Sequence, residues 1–311
     1  NPENSVAQEA TMDRLDSMRM FVRVSELGSF SAVAQQLGVA RSVVTRQVAA
    51  LEAHLGAKLM VRSTRRLSLT SAGTAYLEKC RVILNLVEAA ETDVAEDRAV
   101  ARGNIRIGLP LSFGLRRLAP LLLEFAELHP AVSLEMDYTD RRVDLVEEGF
   151  DLSIRITSRL APTEVVRRLG SCSIVTVAAP AYLARHGRPA SPSELVGHEC
   201  LAYSGDADPG TWSFGRGERV VKVEIRSRFS ANNGDVLAEA AIRGLGITQT
   251  PDFIAQPYLE DGRLEKILAG FAPAELGVYA LLPGARHLPY RVRVLIDFIS
   301  SRLRTSLPSL V

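Results

Sequence analysis

Cysteine is scarce in this chain of 311 residues: Cys80, Cys172 and Cys200 are few and odd in number, which excludes a disulfide-stapled fold and fits a reducing compartment. Long apolar runs are missing too. None approaches the roughly 18 residues of a membrane span, and residues 1–11 are polar and acidic, unlike a secretory leader. The five histidines, His54, His129, His186, His198 and His287, are scattered, with no metal-ligand spacing and no two within a helical turn. Each reads as a surface or capping residue. Gly244-Leu-Gly246 lacks the third glycine of a dinucleotide loop and precedes a strand instead of following one, so it reads as a turn. No catalytic constellation, metal or cofactor is expected, which leaves an enzyme or a solute-binding protein as the competing reading, one that turnover by the isolated body would favour.

What is present is an uneven distribution of charge. The formal net charge of +1 conceals a basic head: residues 12–70 hold nine Lys or Arg against four acids, which leaves the remainder of the chain four charges negative. A basic end on an acidic body is what nucleic-acid binding confined to one region requires. The length suggests two or three compact units, and the hydrophobic fraction of 47% is ample for their cores. Met12 reads as a natural start, with 1–11 as a disordered extension or a remnant of expression.

Inside the basic head, the run from Gly28 to Leu51 reads as a helix, a tight turn and a second helix, the shape that enters the major groove of DNA. Ser29 is placed to cap the first helix, Val33, Ala34 and Leu37 fall on one inward face, and Gly38 supplies the positive φ of the corner. In the second helix Val44, Val48, Leu51 and Leu55 make the buried stripe. The opposite face then carries Arg41, Ser42, Thr45, Arg46 and Ala49. Guanidinium groups can read guanine or hold phosphate, and hydroxyls can do either; the bland alternative is an ordinary solvated face. Residues 56–70 alternate apolar and polar side chains around a basic tip, a two-stranded wing that offers Arg62, Arg65 and Arg66 to the backbone or minor groove.

On these residues the span 12–81 resembles the DNA-binding region of LysR-type transcriptional regulators. Phe21, Gly28-Ser29-Phe30, Ala34, Leu37, Ser42, Val44, Arg46, Gln47, Leu51-Glu52, Leu55-Gly56, Leu59, Arg62, Arg65, Leu69-Thr70 and Ala72-Gly73 carry the likeness. Two residues depart from the pattern: Ala40 stands where the family has a Ser cap, and Met60 where it has Phe. Losing the cap costs about 1 kcal/mol of helix stability, and Met fills an apolar site well. The resemblance implies DNA contacts by Ser29, Ser31, Arg41, Ser42, Thr45, Arg46, Arg62, Arg65 and Arg66.

Beyond the wing, Thr70 or Ser71 can cap a long helix to about residue 98, with Leu77, Cys80, Leu84, Val87 and Val94 in an approximate heptad stripe. Packing on its own C-terminal domain would explain the stripe. The resemblance implies instead a linker helix through which family members form homodimers, and further a homotetramer. From Gly103 strands alternate with helices. Strands are expected at 104–109, 132–138, 151–156, 165–169, 173–178, 200–203, 211–214, 220–223, 226–230, 247–250 and 276–282. Helices are expected at 114–128, 143–148, 181–186, 235–243, 252–258 and 289–303. Such alternation predicts an α/β body with a parallel sheet and helices on both faces.

The resemblance extends over this body through Glu148-Gly149-Phe150-Asp151, Pro180-Ala-Tyr-Leu, Gly244-Leu-Gly246 and Pro251-Asp252-Phe253. It implies an α/β fold like a two-lobed periplasmic binding protein. The domains would be a winged helix-turn-helix at 12–70, a linker helix at 71–102 and an effector-binding domain at 103–311. Lobe one would cover about 103–174 and 279–304, lobe two about 175–278. A small-molecule effector would lie between the lobes, where helix N-termini favour a polar or anionic ligand. Ser112, Phe113, Thr139, Thr157, Tyr203, Asn232 and Thr248 fall at strand ends or helix starts and are its candidate contacts, each with an alternative role as turn former or cap. The expected partners are double-stranded promoter DNA, the effector, a second copy of the chain and RNA polymerase, in the cytoplasm with no membrane. One branch of the family senses peroxide through a disulfide; for Cys172 and Cys200 only His198 is near in sequence to stabilise a thiolate.

Overall fold

The computed structural model describes residues 13–62, 67–94, 100–206, 208–215, 220–283 and 288–306. Its elements gather into two compact units, one N-terminal and one drawn largely from Val100 onward.

In the first unit Asp13 opens α1 (Arg14–Leu27) by accepting the N–H groups of Leu15 and Asp16 at 2.9 and 3.3 Å. Ser29 caps α2 (Phe30–Leu37), its Oγ 3.2 Å from the Ala32 nitrogen, and Gly38 at φ +65° turns the corner. Helix α3 (Arg41–Leu55) starts at Ala40 with no side-chain cap. Phe21, Val24, Val33, Val44 and Leu51 are fully buried where the three helices meet. Strands β1 (Met60–Arg62) and β2 (Leu67–Leu69) pair antiparallel as the wing, with Met60 buried as its apolar substitution allows. Thr70 caps α4 (Ser71–Val94) through the Gly73 N–H at 2.9 Å. Gly73 has to be glycine: a side-chain carbon there would sit 1.9 Å from the Leu59 carbonyl oxygen.

Two side chains assigned to the inward faces lie outside them. Leu37 is 45% exposed and Leu55 37% exposed. Each is the last residue of its helix, just before a left-handed glycine, and so projects past the place where the helices cross. Glu52 takes the fourth place on the α3 stripe instead. The end of the expected long helix, 95–99, lies outside the described residues, as do residues 1–12 and His287.

The second unit starts with β3 (Gly103–Leu109), followed by α5 (Leu111–Phe113), a π-turn (Gly114–Leu118) and α6 (Ala119–Leu128). One continuous helix was expected over 114–128. Pro120 has no N–H to give the Arg116 carbonyl, so the ladder slips by one residue and the Ala119 N–H bonds Gly114. Then come β4 (Val132–Tyr138), β5 (Leu152–Thr157), β6 (Val165–Cys172), β7 (Ile174–Ala178), α7 (Pro180–His186) and a 3₁₀ turn at Pro192–Gly197. They lead to β8 (Glu199–Tyr203), the hairpin β9 (Thr211–Phe214) and β10 (Val221–Glu224), β11 (Arg226–Ala231) and α8 (Gly234–Ile242). The chain ends with β12 (Ile247–Pro251), α9 (Asp252–Glu260), β13 (Glu265–Ile267), β14 (Leu276–Leu282) and α10 (Tyr290–Ser306).

The helix expected at 143–148 is a run of turns, because the Asp144 carboxylate accepts the N–H groups of Val146 and Glu147 at 2.9 Å and Gly149 turns left-handed. The sheets are mixed, not wholly parallel. One has the order β4-β3-β5-β14-β6 and the other β11-β8-β12-β7-β13. Within each, four strands run in one direction and one runs against them, β14 in the first sheet and β7 in the second, since these two enter without a crossover helix that would keep direction. Helix α10 buries Val292, Leu295, Ile296 and Ile299, and the buried Arg291 donates from Nε to the Asn104 carbonyl at 2.8 Å.

Register then brings chemistry together. Leu109 lies opposite Tyr138, so the segments leaving β3 and β4 emerge side by side, and Ala231 lies opposite Tyr203, which does the same for β8 and β11.

Candidate nucleic-acid interface and the seam between the sheets

On α3 the buried stripe leaves Arg41, Ser42 and Arg46 exposed and Thr45 half-buried on the other side. Among the described residues neither arginine pairs with an acid. That leaves both guanidinium forks available to phosphate or base edges. Gln47 is held back, its side-chain oxygen accepting from Ser17 Oγ at 2.7 Å, which ties α3 to α1. Ser29 is half-buried and occupied with its cap, while Ser31 is exposed. Arg62 belongs to β1 by its backbone; Arg65 and Arg66, at the tip of the wing, lie outside the described residues.

Glu52 was not expected to matter beyond its match to the family pattern. Its Oε1 accepts the N–H groups of Leu59 and Met60 at 2.9 and 3.1 Å, and its Oε2 meets Lys58 at 2.6 Å. Burial pushes this carboxyl up, but the hydrogen bonds from Lys58, Met60 and Leu59 outweigh burial and hold it below its ordinary value. One side chain thus fixes the recognition helix to the start of the wing.

In the second unit the Ser112 hydroxyl and the Arg116 guanidinium, both on the segment following β3, donate to the two oxygens of the Asp235 carboxylate in the first turn of α8. Asn233, the cap of that helix, donates to Ser112 Oγ at 3.2 Å and to Asp140 Oδ2 at 3.0 Å. Asp140 in turn accepts the Leu111 N–H at 2.9 Å. Phe113 is buried with its ring edge-on to Phe253 at 5.3 Å. The hydrogen bonds of Asn233 and Asp235 to Ser112, Arg116 and Asp140 join residues 93 to 123 apart in the chain, across the line between the two sheets.

Of the expected contacts, Ser112 and Phe113 lie on this seam. Thr139 precedes Asp140, and its Oγ1 accepts the Arg141 N–H at 3.3 Å. Thr157 closes a local turn, donating to the Arg159 carbonyl at 2.9 Å. Tyr203 is half-buried, and burial followed by the charges of Asp140 and Asp206 pushes its hydroxyl to about 12. Asn232 is exposed, and its neighbour Asn233 does the work at the seam. Thr248 is fully buried and donates to the Leu201 carbonyl at 3.4 Å. Arg116, Asp140 and Asp235 were not singled out from the sequence, and a polar residue beside a strand end or in a first helical turn carries no signal of a partner a hundred residues away.

Elsewhere the thiols are quiet. All three cysteines are buried, and burial pushes Cys172 and Cys200 to about 12 and Cys80 to about 11, the opposite of an activated thiolate. His198 is buried against Tyr182, 3.3 Å from its hydroxyl. Among the described residues no group of three His, Cys, Asp or Glu side chains is placed to hold a metal, and no helix is long and apolar enough to cross a membrane.

Two family models cover the chain. Residues 15–74 match the bacterial regulatory helix-turn-helix protein of the lysR family, and residues 98–304 match the LysR substrate binding domain. An HTH-type transcriptional regulator of Xanthomonas campestris pv. campestris is 35% identical over 293 residues, 93% of this chain and 85% of that protein. The HTH-type transcriptional regulator CrgA of Neisseria meningitidis serogroup C is 32% identical over 295 residues, 94% of this chain and 98% of its own. The solved structure of CrgA from Neisseria meningitidis aligns with a TM-score of 0.58 at 31% identity, covering 93% of this chain and 98% of that one. The full-length Vibrio cholerae virulence activator AphB aligns at 0.54 and 28% identity, covering 93% and 99%.

Proposed function

The chain belongs to the LysR family of DNA-binding transcriptional regulators, and from that premise we propose that it is a sequence-specific regulator whose effector binds at the seam between the two sheets. The observation that carries the first half is the face of α3. Arg41 and Arg46 stand exposed, and among the described residues they meet no acid, on the second helix of a helix-turn-helix inside the basic head of the chain. We assign 12–70 to the DNA-binding head, 71–102 to the linker and 103–311 to the effector domain. Its lobes, about 103–174 with 279–304 and about 175–278, follow the two sheets except that the boundary at 279 falls inside β14, all of which pairs in the first sheet.

Ser29, Ser31, Arg41, Ser42, Thr45, Arg46, Arg62, Arg65 and Arg66 form the DNA face, the α3 residues at base edges and the rest on the backbone or minor groove. Ser112, Phe113 and Tyr203 line the effector site, where strand ends and a helix N-terminus converge on polar side chains; this supports a polar effector. Helix α4 supports a homodimer: beside the buried Leu77 and Cys80 it leaves Val82, Ile83 and Leu86 exposed, an apolar stripe that a second copy would cover. A dimer of dimers, contact with RNA polymerase and a cytoplasmic location extend the same reading and rest on family membership alone.

The test is footprinting of the purified chain on the DNA upstream of its own gene, across a salt titration. Protection over several helical turns that weakens steeply with salt and depends on sequence is expected. Sequence-indifferent binding at every salt concentration would overturn specific recognition.

A further inference from the structure

Ser112 and Arg116 form a small receptor for a carboxylate. A hydroxyl and a guanidinium, one helical turn apart, converge on the two oxygens of one group, and the π-turn forced by Pro120 carries Arg116 to it. The group they hold is the chain's own Asp235, reached from the other sheet's half of the unit. This pair is open to exchange: the side chains of Arg116 and Asp235 are 35% and 33% exposed, a setting in which ion pairs hold weakly.

Around it the other donors are committed. Asn233 is occupied by Ser112 and Asp140, and Asp140 by Asn233 and the Leu111 N–H. Two hydroxyls are not. Thr250 Oγ1 is buried without a hydrogen-bond partner, on the strand that leads to α9 and 3.2 Å from where a side-chain carbon on Gly234, next to Asp235, would lie. The half-buried Tyr203 hydroxyl makes no side-chain hydrogen bond among the described residues. A buried hydroxyl left without a partner is destabilising unless something satisfies it, so the surroundings of Asp235 are built for one more polar group than the chain supplies.

Resting on the reading of this seam as the effector site, we propose that the effector bears a carboxylate that takes Ser112 and Arg116 from Asp235, and that Asp235 is the chain's built-in competitor for that site. The exchange conserves charge at the receptor, one carboxylate for another. It moves the first turn of α8 away from the segment after β3 by the width of the inserted molecule. The two halves therefore adopt different spacings with and without effector, which is the differential contact that a ligand needs to shift an equilibrium between arrangements. Part of the effector would reach the Thr250 and Tyr203 hydroxyls, which the resting arrangement leaves idle.

The experiment removes the competitor and supplies a free carboxylate. The full-length Asp235→Ala protein is titrated with sodium acetate against sodium chloride of equal ionic strength, read by thermal shift and calorimetry, beside the wild type. The variant should bind acetate and gain thermal stability, with the wild type binding about tenfold or more weakly because its tethered carboxylate competes at high effective concentration. Adding Arg116→Ala to the variant should abolish the gain. Should Asp235→Ala not fold, Asp235→Asn keeps the size of the side chain, loses its charge and carries the same test. A folded variant that responds to acetate no more than the wild type overturns the proposal, as does a response that survives Arg116→Ala. Neither result touches the DNA-binding reading, which the footprint tests separately. Acetate uptake that leaves the footprint unchanged would keep the carboxylate receptor while overturning the seam as the effector site.

Discussion

Replacing Glu52 tests how the recognition helix is held. Truncation to alanine strips the acceptor from the Leu59 and Met60 N–H groups, both on buried residues. Each buried N–H left unsatisfied costs about 1–3 kcal/mol, so the total is about 2–6 kcal/mol. A head of some 60 residues has only about 3–9 kcal/mol of stability to lose. Glu52→Gln keeps an oxygen where Oε1 stands and loses mainly the charge assistance and the pair to Lys58, whose side chain is 76% exposed, so about 1 kcal/mol is expected. At about 4–8 °C per kcal/mol for a unit of this size, the alanine variant should melt at least about 8 °C lower and the glutamine variant about 4–8 °C lower. Scanning calorimetry of the full chain reads this on the transition that operator DNA raises. The pH dependence gives a second arm. The Glu52 carboxyl lies below its ordinary value of 4.5 in the folded head, so its contribution is present above that pH and disappears as pH falls through the folded value. The Glu52→Gln head should lose less stability over that acid window. Alanine and glutamine variants that melt together would refute the argument, because it rests on the acceptor and not on the charge.

Arg46→Ala should relax sequence preference, whereas Arg65→Ala should weaken all DNA alike and lower the salt slope by about 1; equal effects in a footprint titration would show that the division between reading and gripping is wrong. Leu86→Glu sets a charge into the exposed stripe of α4 and should shift the chain toward monomer in sedimentation, an outcome that an unchanged mass would contradict. Burial, with the charge of His186 and against that of Glu194, holds His198 below its ordinary 6.5. The unfolded chain therefore takes up the proton first, stability of the second unit should decline below about pH 6.5, and His198→Gln should flatten that decline. Cys172 and Cys200, pushed to about 12 by burial, should resist a thiol reagent at pH 8 in the native protein and react only on denaturation.

The head was largely legible because its signals are local. Ser29 as cap, Gly38 at the corner, the Val44, Val48 and Leu51 stripe and the paired strands of the wing each depend on residues a few positions apart, where helical and strand periods operate. Those periods also placed most strands and helices of the body. They misjudged Leu37 and Leu55, since a period does not say where a crossing ends, and they gave no sign that the helix expected over 114–128 would open with a π-turn ahead of Pro120. The sequence by itself determined a basic helix-turn-helix head, an α/β body and which face of α3 is buried. Only tertiary structure decided that β14 and β7 enter their sheets antiparallel, that Glu52 clasps the wing, and that Asp235 meets Ser112 and Arg116. Those pairings depend on the ends of strands far apart in the chain arriving side by side, and a carboxylate in a first helical turn looks the same from the sequence whether it faces water or a guanidinium 119 residues away.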